Sequence, residues 1–129
     1  MPERPKEKVL VVDDDPAVLR VASKVLERAG YEVFEANSGS EAMEIMESRN
    51  GDIDLLLTDV VMPGMSGRQL GELARTRFPD VRILYMSAYT EDEVILQGVR
   101  VAEVDFISKP FTVEGLRGKV REILDRTAT

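Results

Sequence analysis

A short apolar segment constrains the fold of this chain more than any other feature. Residues 55–57 are leucines, Thr58 and Asp59 follow them, and Pro63 and Gly64 end the segment. Consecutive leucines leave no polar face, so we expect a β-strand that is buried on both sides. Such strands occur in parallel sheets, whose ligands bind beyond the carboxyl ends of the strands. Asp59 would lie at such an end, although an aspartate considered alone could simply solvate a loop.

Strand and helix patterns alternate along the chain. Five strands are predicted, at residues 9–12, 31–36, 55–59, 81–86 and 104–107. A helical pattern follows each strand, and polar residues suited to N-capping mark the helix starts at Asp15, Ser38, Ser66, Thr90 and Thr112. The first and third strands are the most apolar, and the second is acidic, as expected at an edge. The pattern predicts an α/β fold, a flavodoxin-like doubly wound (βα)5 domain with a five-stranded parallel sheet of order 2-1-3-4-5.

The domain is predicted to span residues 9–126, with a flexible lead-in at 1–8 and a frayed C-terminus at 127–129. The lead-in is charged and contains proline, and the apolar run after it stops at Asp13, too soon for a signal peptide. No segment reaches the length needed to span a membrane. A cytoplasmic location is therefore expected.

Composition excludes several function classes. The net charge of -7 disfavours direct nucleic-acid binding, which needs clustered lysine and arginine. The chain has no cysteine, so disulfides, thiolate metal sites and thiol catalysis are excluded. It also has no histidine, which excludes a Ser-His-Asp triad, a histidine-ligated zinc site and an internal phosphohistidine donor.

Three aspartates are expected to meet where the strand order reverses. Asp13 and Asp14 follow the first strand, and Asp59 ends the third. Two carboxylates about 4 Å apart repel each other by roughly 4 kcal/mol at an effective dielectric constant of about 20. The Lys109 ammonium would compensate one of the three charges. An oxygen-only site with the remaining charge favours Mg²⁺, with Mn²⁺ as the alternative.

Ser87 and Lys109 close the fourth and fifth predicted strands, so both should point into the same crevice. A hydroxyl, a fixed positive charge and backbone N–H groups would stabilise a developing phosphoryl charge, with Asp59 as the attacking group. Each residue also has a simpler interpretation: the aspartates as a helix cap, Ser87 as a strand end, Lys109 as part of a loop. Their occurrence at successive strand ends favours the site.

Four segments carry a family resemblance. They are VVDDDP at 11–16, LTDVVMPGMSG at 57–67, MSA at 86–88 and FISKPF at 106–111. Together they resemble the receiver domains of two-component response regulators, over nearly the whole chain from about Lys8 to Arg126. The resemblance implies that Asp59 is the phosphoacceptor and that the donor is a histidine kinase or a histidine phosphotransfer protein.

The resemblance also implies the roles of the surrounding residues. Asp14 and Asp59 would bind Mg²⁺, Asp13 would do so mainly through water, and the backbone carbonyl of Val61 would supply a further ligand. Ser87, the Ala88 N–H and Lys109 would hold the phosphoryl oxygens. The protein would then accept a phosphoryl group and lose it slowly, without acting as an enzyme in turnover.

A conformational switch is implied as well. Ser87 would move towards the phosphoryl group and Phe106 would turn inward, changing the face formed by the fourth predicted helix, the fifth strand and the fifth predicted helix. This face would bind a partner, and the protein is expected to be a monomer or a phosphorylation-dependent dimer. Val61 and Tyr89 lie where side chains can screen the phosphoryl group from water, and we expect Tyr89 to lengthen its lifetime.

One departure from the family concerns residues 99–105, which replace the Ala-Gly-Ala-like segment of many relatives. This segment and residues 84–90 look most similar to receivers at the C-terminus of hybrid sensor kinases.

Two alternatives remain: a degenerate receiver that binds proteins without phosphorylation, and a Mg²⁺-dependent phosphohydrolase. A haloacid dehalogenase-like enzyme needs a second aspartate where this chain has Val61. A flavin module of this topology would need polar uncharged residues and glycine in place of the acidic triplet.

Overall fold

The computed structural model describes residues 6–88 and 105–126. These residues form five strands and four helices: β1 (Lys8–Val12), α1 (Pro16–Arg28), β2 (Glu32–Ala36), α2 (Gly39–Ser48), β3 (Leu55–Asp59), α3 (Gly67–Arg77), β4 (Arg82–Ser87), β5 (Asp105–Ser108) and α4 (Val113–Leu124). The fourth predicted helix, which was expected to begin near Glu91, lies outside the described residues. The helix labelled α4 here therefore corresponds to the fifth helix predicted from the sequence. No helix in residues 6–88 and 105–126 is both long and apolar enough to cross a membrane.

The five strands form one parallel sheet in the order β2-β1-β3-β4-β5, which confirms the predicted topology. The register pairs Val12 with Thr58, Asp59 with Met86, and Ser87 with Ser108. The carboxyl ends of β1, β3, β4 and β5 therefore lie along one edge, and the segments that leave them share a crevice.

The central strand β3 is buried on both faces, as its leucines predicted. Leu55 and Leu57 pack in the core cluster covered by α1 and α4, and Leu56 packs in the cluster covered by α2 and α3. All three side chains are fully buried. Each contributes roughly 1.5–3 kcal/mol of hydrophobic stabilisation, which holds the strand that carries Asp59 in the middle of the sheet.

The helices begin where the capping residues predicted. Asp15, Ser38, Ser66 and Thr112 each accept a hydrogen bond from a backbone N–H in the first turn. At Ser66 the cap is reciprocal, because the Gln69 side chain accepts from the Ser66 N–H at 2.9 Å. These caps fix the directions in which the chain leaves β1, β3 and β5, next to the crevice.

The packed part of the domain begins at Glu7, two residues before the predicted boundary at Val9. Lys8 is the first residue of β1, where it pairs with Glu32, and its N–H donates to an Asp54 carboxylate oxygen at 2.7 Å. The Glu7 carboxylate binds both terminal nitrogens of Arg121 on α4, at 2.8 and 3.1 Å. The charged residues at the start of the chain predicted a flexible lead-in. The partners of Lys8 and Glu7, which are Asp54 and Arg121, lie far away along the chain, so the sequence alone did not reveal these contacts.

Candidate functional site

Three aspartates converge at the carboxyl edge of the sheet. One carboxylate oxygen from each of Asp13, Asp14 and Asp59 lies within 4.8 Å of the others. Asp13 and Asp59 are 1% and 7% exposed, whereas Asp14 is exposed to solvent. The cluster thus combines two desolvated carboxylates with one that faces water. The convergence of the three aspartates, though not their different exposure, is what the order of the strands predicted.

The loop after β1 fixes Asp13 from several sides. Its backbone N–H donates to the Ala36 carbonyl at 3.2 Å, and its Oδ1 accepts from the Asp15 N–H at 2.9 Å. Asp15 in turn caps α1 by accepting from Ala17. The acidic triplet therefore has two structural roles. Asp15 caps the start of α1, whereas Asp13 and Asp14 contribute their carboxylates to the crevice.

Lys109 reaches the cluster from the loop between β5 and α4. Its ammonium donates to Asp13 Oδ2 at 2.6 Å and lies 3.4 Å from Asp59 Oδ2. Its backbone N–H donates to the Ser87 carbonyl at 2.8 Å, which ties this loop to the end of β4. Burial alone would lower the pKa of Lys109, but the hydrogen bond from Lys109 to Asp13 and the charge of Asp59 outweigh burial, and its pKa is raised. The ammonium therefore stays charged at neutral pH.

Burial raises the pKa of Asp59 to about 6. The positive charge of Lys109 opposes this shift, and the negative charge of Asp13 adds to it. Asp59 is therefore ionised at neutral pH but poorly solvated, and it lies beside a positive charge. A desolvated carboxylate whose pKa is shifted by specific neighbours is a candidate reactive group.

The donor set of the crevice fits a divalent cation that prefers oxygen ligands. Three carboxylates and one ammonium leave the cluster with a formal charge of -2. The whole chain contains no histidine or cysteine to favour a softer metal. Asp13, Asp14 and Asp59 therefore suit Mg²⁺ or Mn²⁺.

The remaining predicted site residues lie around this cluster. Ser87 is fully buried at the end of β4, one residue beyond the partner of Asp59 in the sheet register. Ala88 is exposed and, together with Lys109, lines an open cavity of about 500 Å³ that extends along the start of α1. Val61, the second residue after β3, is half-buried. Tyr89 lies outside the described residues.

Phe106, the predicted switch residue, is half-buried on β5. It pairs in register with Tyr85 on β4 and, like Val61, packs against a small buried cluster of Val60 and Tyr85. The side chain thus lies next to the residues that follow Asp59, where a movement of β4 would reach it.

Two residues that contact the Asp59 carbonyl were not recognised from the sequence as doing so. The Thr58 hydroxyl donates to the Asp59 carbonyl at 3.0 Å, and Thr58 is fully buried. Gly67, the first residue of α3, lies so close that a Cβ built on it would be 1.8 Å from the same carbonyl oxygen. For Thr58, the sequence offered one indication, a hydroxyl side chain at the end of a strand of leucines. For Gly67 it offered none, because the contact joins residues that are eight positions apart.

In the absence of a divalent cation, we expect Asp59→Asn to be more stable than the wild type at pH 7 by about 2–3 kcal/mol, since one pKa unit corresponds to about 1.4 kcal/mol. The folded protein binds a proton at Asp59 more tightly than the unfolded chain does, because the pKa rises from 3.8 to about 6 on folding. Stability from this group is therefore present at low pH and is lost as the pH rises through that interval. Urea unfolding in EDTA at a series of pH values measures the difference.

The exposed Asp80 provides the control, since Asp80→Asn should change stability by no more than about 0.5 kcal/mol at any pH. The difference between wild type and Asp59→Asn should fall towards zero near pH 4 and reach its full value above the folded pKa of about 6. Equal stabilities at pH 7 would show that Asp59 is not held in an unfavourable environment.

Comparison with known proteins supports the family seen in the sequence motifs. The family described as response regulator receiver domain matches residues 9–121. The chain is 39% identical over 118 residues to the sensor kinase CckA of Brucella abortus (strain 2308). The matched segment covers 92% of this chain and 12% of that protein. The chain spans 12–30% of the length of this and two further curated relatives.

Solved structures give the same result. The chemotaxis protein CheY4 of Vibrio cholerae superposes with a TM-score of 0.81 at 30% identity, covering 92% of this chain and 99% of that one. The receiver domain from the hybrid histidine kinase CckA superposes with a TM-score of 0.77 at 36% identity, with the same coverage. The family model matches most of the length of this chain, and the sheet order and the acidic crevice agree with it. The chain therefore belongs to the response regulator receiver domain family.

Proposed function

We propose that this chain accepts a phosphoryl group on Asp59 from the phosphohistidine of a histidine kinase or a histidine phosphotransfer protein, and that the reaction requires Mg²⁺. The observation that carries the proposal is the environment of Asp59. Asp59 is 7% exposed, its carboxylate lies 3.4 Å from the Lys109 ammonium, and it belongs to a cluster of three aspartates. Family membership supports the same assignment.

In the proposed reaction, an Asp59 carboxylate oxygen attacks the phosphorus atom of the donor. A phosphorus–oxygen bond forms, the phosphorus–nitrogen bond of phosphohistidine breaks, and its electron pair returns to the imidazole nitrogen of the donor. Lys109 contributes a positive charge that is already oriented by Asp13, so little rearrangement is needed when negative charge builds up on the phosphoryl oxygens. Ser87 and the Ala88 N–H are the proposed further donors to these oxygens.

The proposed metal ligands are Asp13, Asp14, Asp59 and the backbone carbonyl of Val61. When bound there, Mg²⁺, or Mn²⁺ as the alternative, would neutralise charge on the phosphoryl group and on the aspartates. Without it, Lys109 is the positive charge beside Asp13 and Asp59 in the described part of the chain. Asp13 is the carboxylate most firmly held by the protein, because Lys109 and the Asp15 N–H both donate to it.

Phosphorylation is proposed to act as a switch and not as a step of an enzymatic cycle. Ser87 would move towards the phosphoryl group and Phe106 would follow inward, so that the face next to β5 changes for a protein partner or a second copy. Tyr89 would limit the access of water to the phosphoryl group. The cytoplasmic location and the absence of direct nucleic-acid contact stay predictions from the sequence.

Intact-mass measurement tests the proposed reaction. Wild type, Asp59→Asn and the control Asp80→Asn are incubated with acetyl phosphate in Mg²⁺ or in EDTA. We expect the mass of one phosphoryl group to be added to wild type and Asp80→Asn in Mg²⁺ only, and not to Asp59→Asn. If folded wild-type protein gains no mass, the alternative of a degenerate receiver that binds proteins without phosphorylation becomes the better description.

A further inference from the structure

We infer that Thr58 is a positioning residue for phosphoryl transfer, acting through the peptide group that links Asp59 to Val60. This inference rests on the proposed function of Asp59. Thr58 does not touch the reacting atoms itself. Its buried hydroxyl donates to the Asp59 carbonyl at 3.0 Å and thereby holds the backbone from which the carboxylate projects.

The backbone around Asp59 is held at three further points. The Val60 N–H donates to the Met86 carbonyl at 3.1 Å, and the Val60 carbonyl accepts from the Gly67 N–H at 2.8 Å. Gly67 also closes the space above the Asp59 carbonyl, since its own Cβ position would lie 1.8 Å from that oxygen. Of these contacts, the Thr58 hydroxyl is the one made by a side chain, so it can be removed by a substitution that leaves the backbone intact.

The consequence for the reaction is geometric. Loss of this hydrogen bond would let the peptide group that links Asp59 to Val60 shift, together with the Asp59 Cα that carries the carboxylate. The same shift of the chain would displace Val61, whose carbonyl is the proposed backbone ligand of the metal. Because misplacement of a reacting group by about 1 Å can cost about a hundredfold in rate, a partial loss of this restraint should cost about tenfold.

Two substitutions separate this role from simple packing. Thr58→Val retains the volume and branching of the side chain and loses the hydroxyl. Thr58→Ser retains the hydroxyl and loses a buried methyl group, so it should be the less stable of the two. The positioning role predicts that reactivity follows the hydroxyl, whereas a packing role predicts that reactivity follows stability.

The experiment measures the rate of phosphorylation by acetyl phosphate in Mg²⁺ and, independently, Mg²⁺ affinity by calorimetry. We expect Thr58→Val to react about tenfold more slowly and to bind Mg²⁺ more weakly, and Thr58→Ser to regain most of both. Thr76→Val is the matched control, because the Thr76 hydroxyl donates to a backbone carbonyl on the exposed face of α3. It should behave as wild type in both measurements.

A Thr58→Val protein that matches wild type in rate and Mg²⁺ affinity would overturn the inference and leave the proposed function standing. So would reactivity that falls more in Thr58→Ser than in Thr58→Val, because packing would then be the cause. Wild-type protein that is not phosphorylated would overturn the proposed function. In that case the Mg²⁺ affinities alone would test the role of Thr58. Equal affinities of wild type and Thr58→Val, or no Mg²⁺ binding by wild type, would reject its positioning role.

Discussion

Gly67→Ala is expected to lower the free energy of unfolding by at least about 3 kcal/mol, which is the upper range for overpacking in a well-packed site. The added Cβ would lie 1.8 Å from the Asp59 carbonyl oxygen, 2.7 Å from its carbonyl carbon and 2.9 Å from Val60 Cα. All three are backbone atoms, so no side chain can rotate away, and α3 or the end of β3 must shift. Urea unfolding followed by far-ultraviolet circular dichroism measures the loss.

Gly118 provides the matched control for this substitution. It lies in α4, and no heavy atom beyond its local chain lies within 4 Å of the position of an added Cβ. Gly118→Ala should therefore raise stability by up to about 1 kcal/mol, because alanine favours the helix more than glycine does. Equal stabilities of the two variants would show that the start of α3 does not press on Asp59.

Lys109→Met is expected to destabilise the protein by about 3 kcal/mol in EDTA at pH 7, the usual loss when one partner of a buried ion pair is removed. Asp13 and Asp59 would lose their shared positive neighbour, which lies 2.6 and 3.4 Å from their carboxylates. Methionine nearly retains the length of the side chain, so the loss reports the charge more than the packing. Urea unfolding measures the difference between the two proteins.

Mg²⁺ should partly replace the missing charge. We expect the stability gap between wild type and Lys109→Met to narrow as Mg²⁺ is added, because a cation that binds the folded state stabilises it. Lys119→Met removes a surface ion pair to Glu122 and should cost no more than about 1 kcal/mol. A Lys109→Met protein that is no less stable than Lys119→Met would show that Lys109 does not compensate the aspartates.

The sheet order and the acidic crevice could be predicted because they depend on patterns within single segments. The leucines of β3 showed a strand buried on both sides, and the capping residues showed where each helix starts. Once the strands are ordered, Asp13, Asp14, Asp59 and Lys109 must meet, since each lies at the carboxyl end of its strand or within two residues of it. The structure confirms that they do so within a few ångströms.

What could not be predicted depends on distances between segments. The sequence does not show that Lys109 lies closer to Asp13 than to Asp59, or that Asp14 is exposed while Asp13 is buried. The contact of Gly67 with the Asp59 carbonyl arises only when α3 packs back across the end of β3. Thr58 resembles any β-branched strand residue until its hydroxyl is seen to face that carbonyl.

The site of phosphorylation itself can be located by chemical trapping. Wild-type protein is treated with acetyl phosphate and Mg²⁺, reduced with borohydride, digested and sequenced by mass spectrometry. Reduction converts an aspartyl phosphate to homoserine, so we expect homoserine at position 59 alone and only in samples that received both acetyl phosphate and Mg²⁺. Unmodified Asp59 in folded protein, or homoserine at another aspartate, would contradict the assignment of Asp59 as the phosphoacceptor.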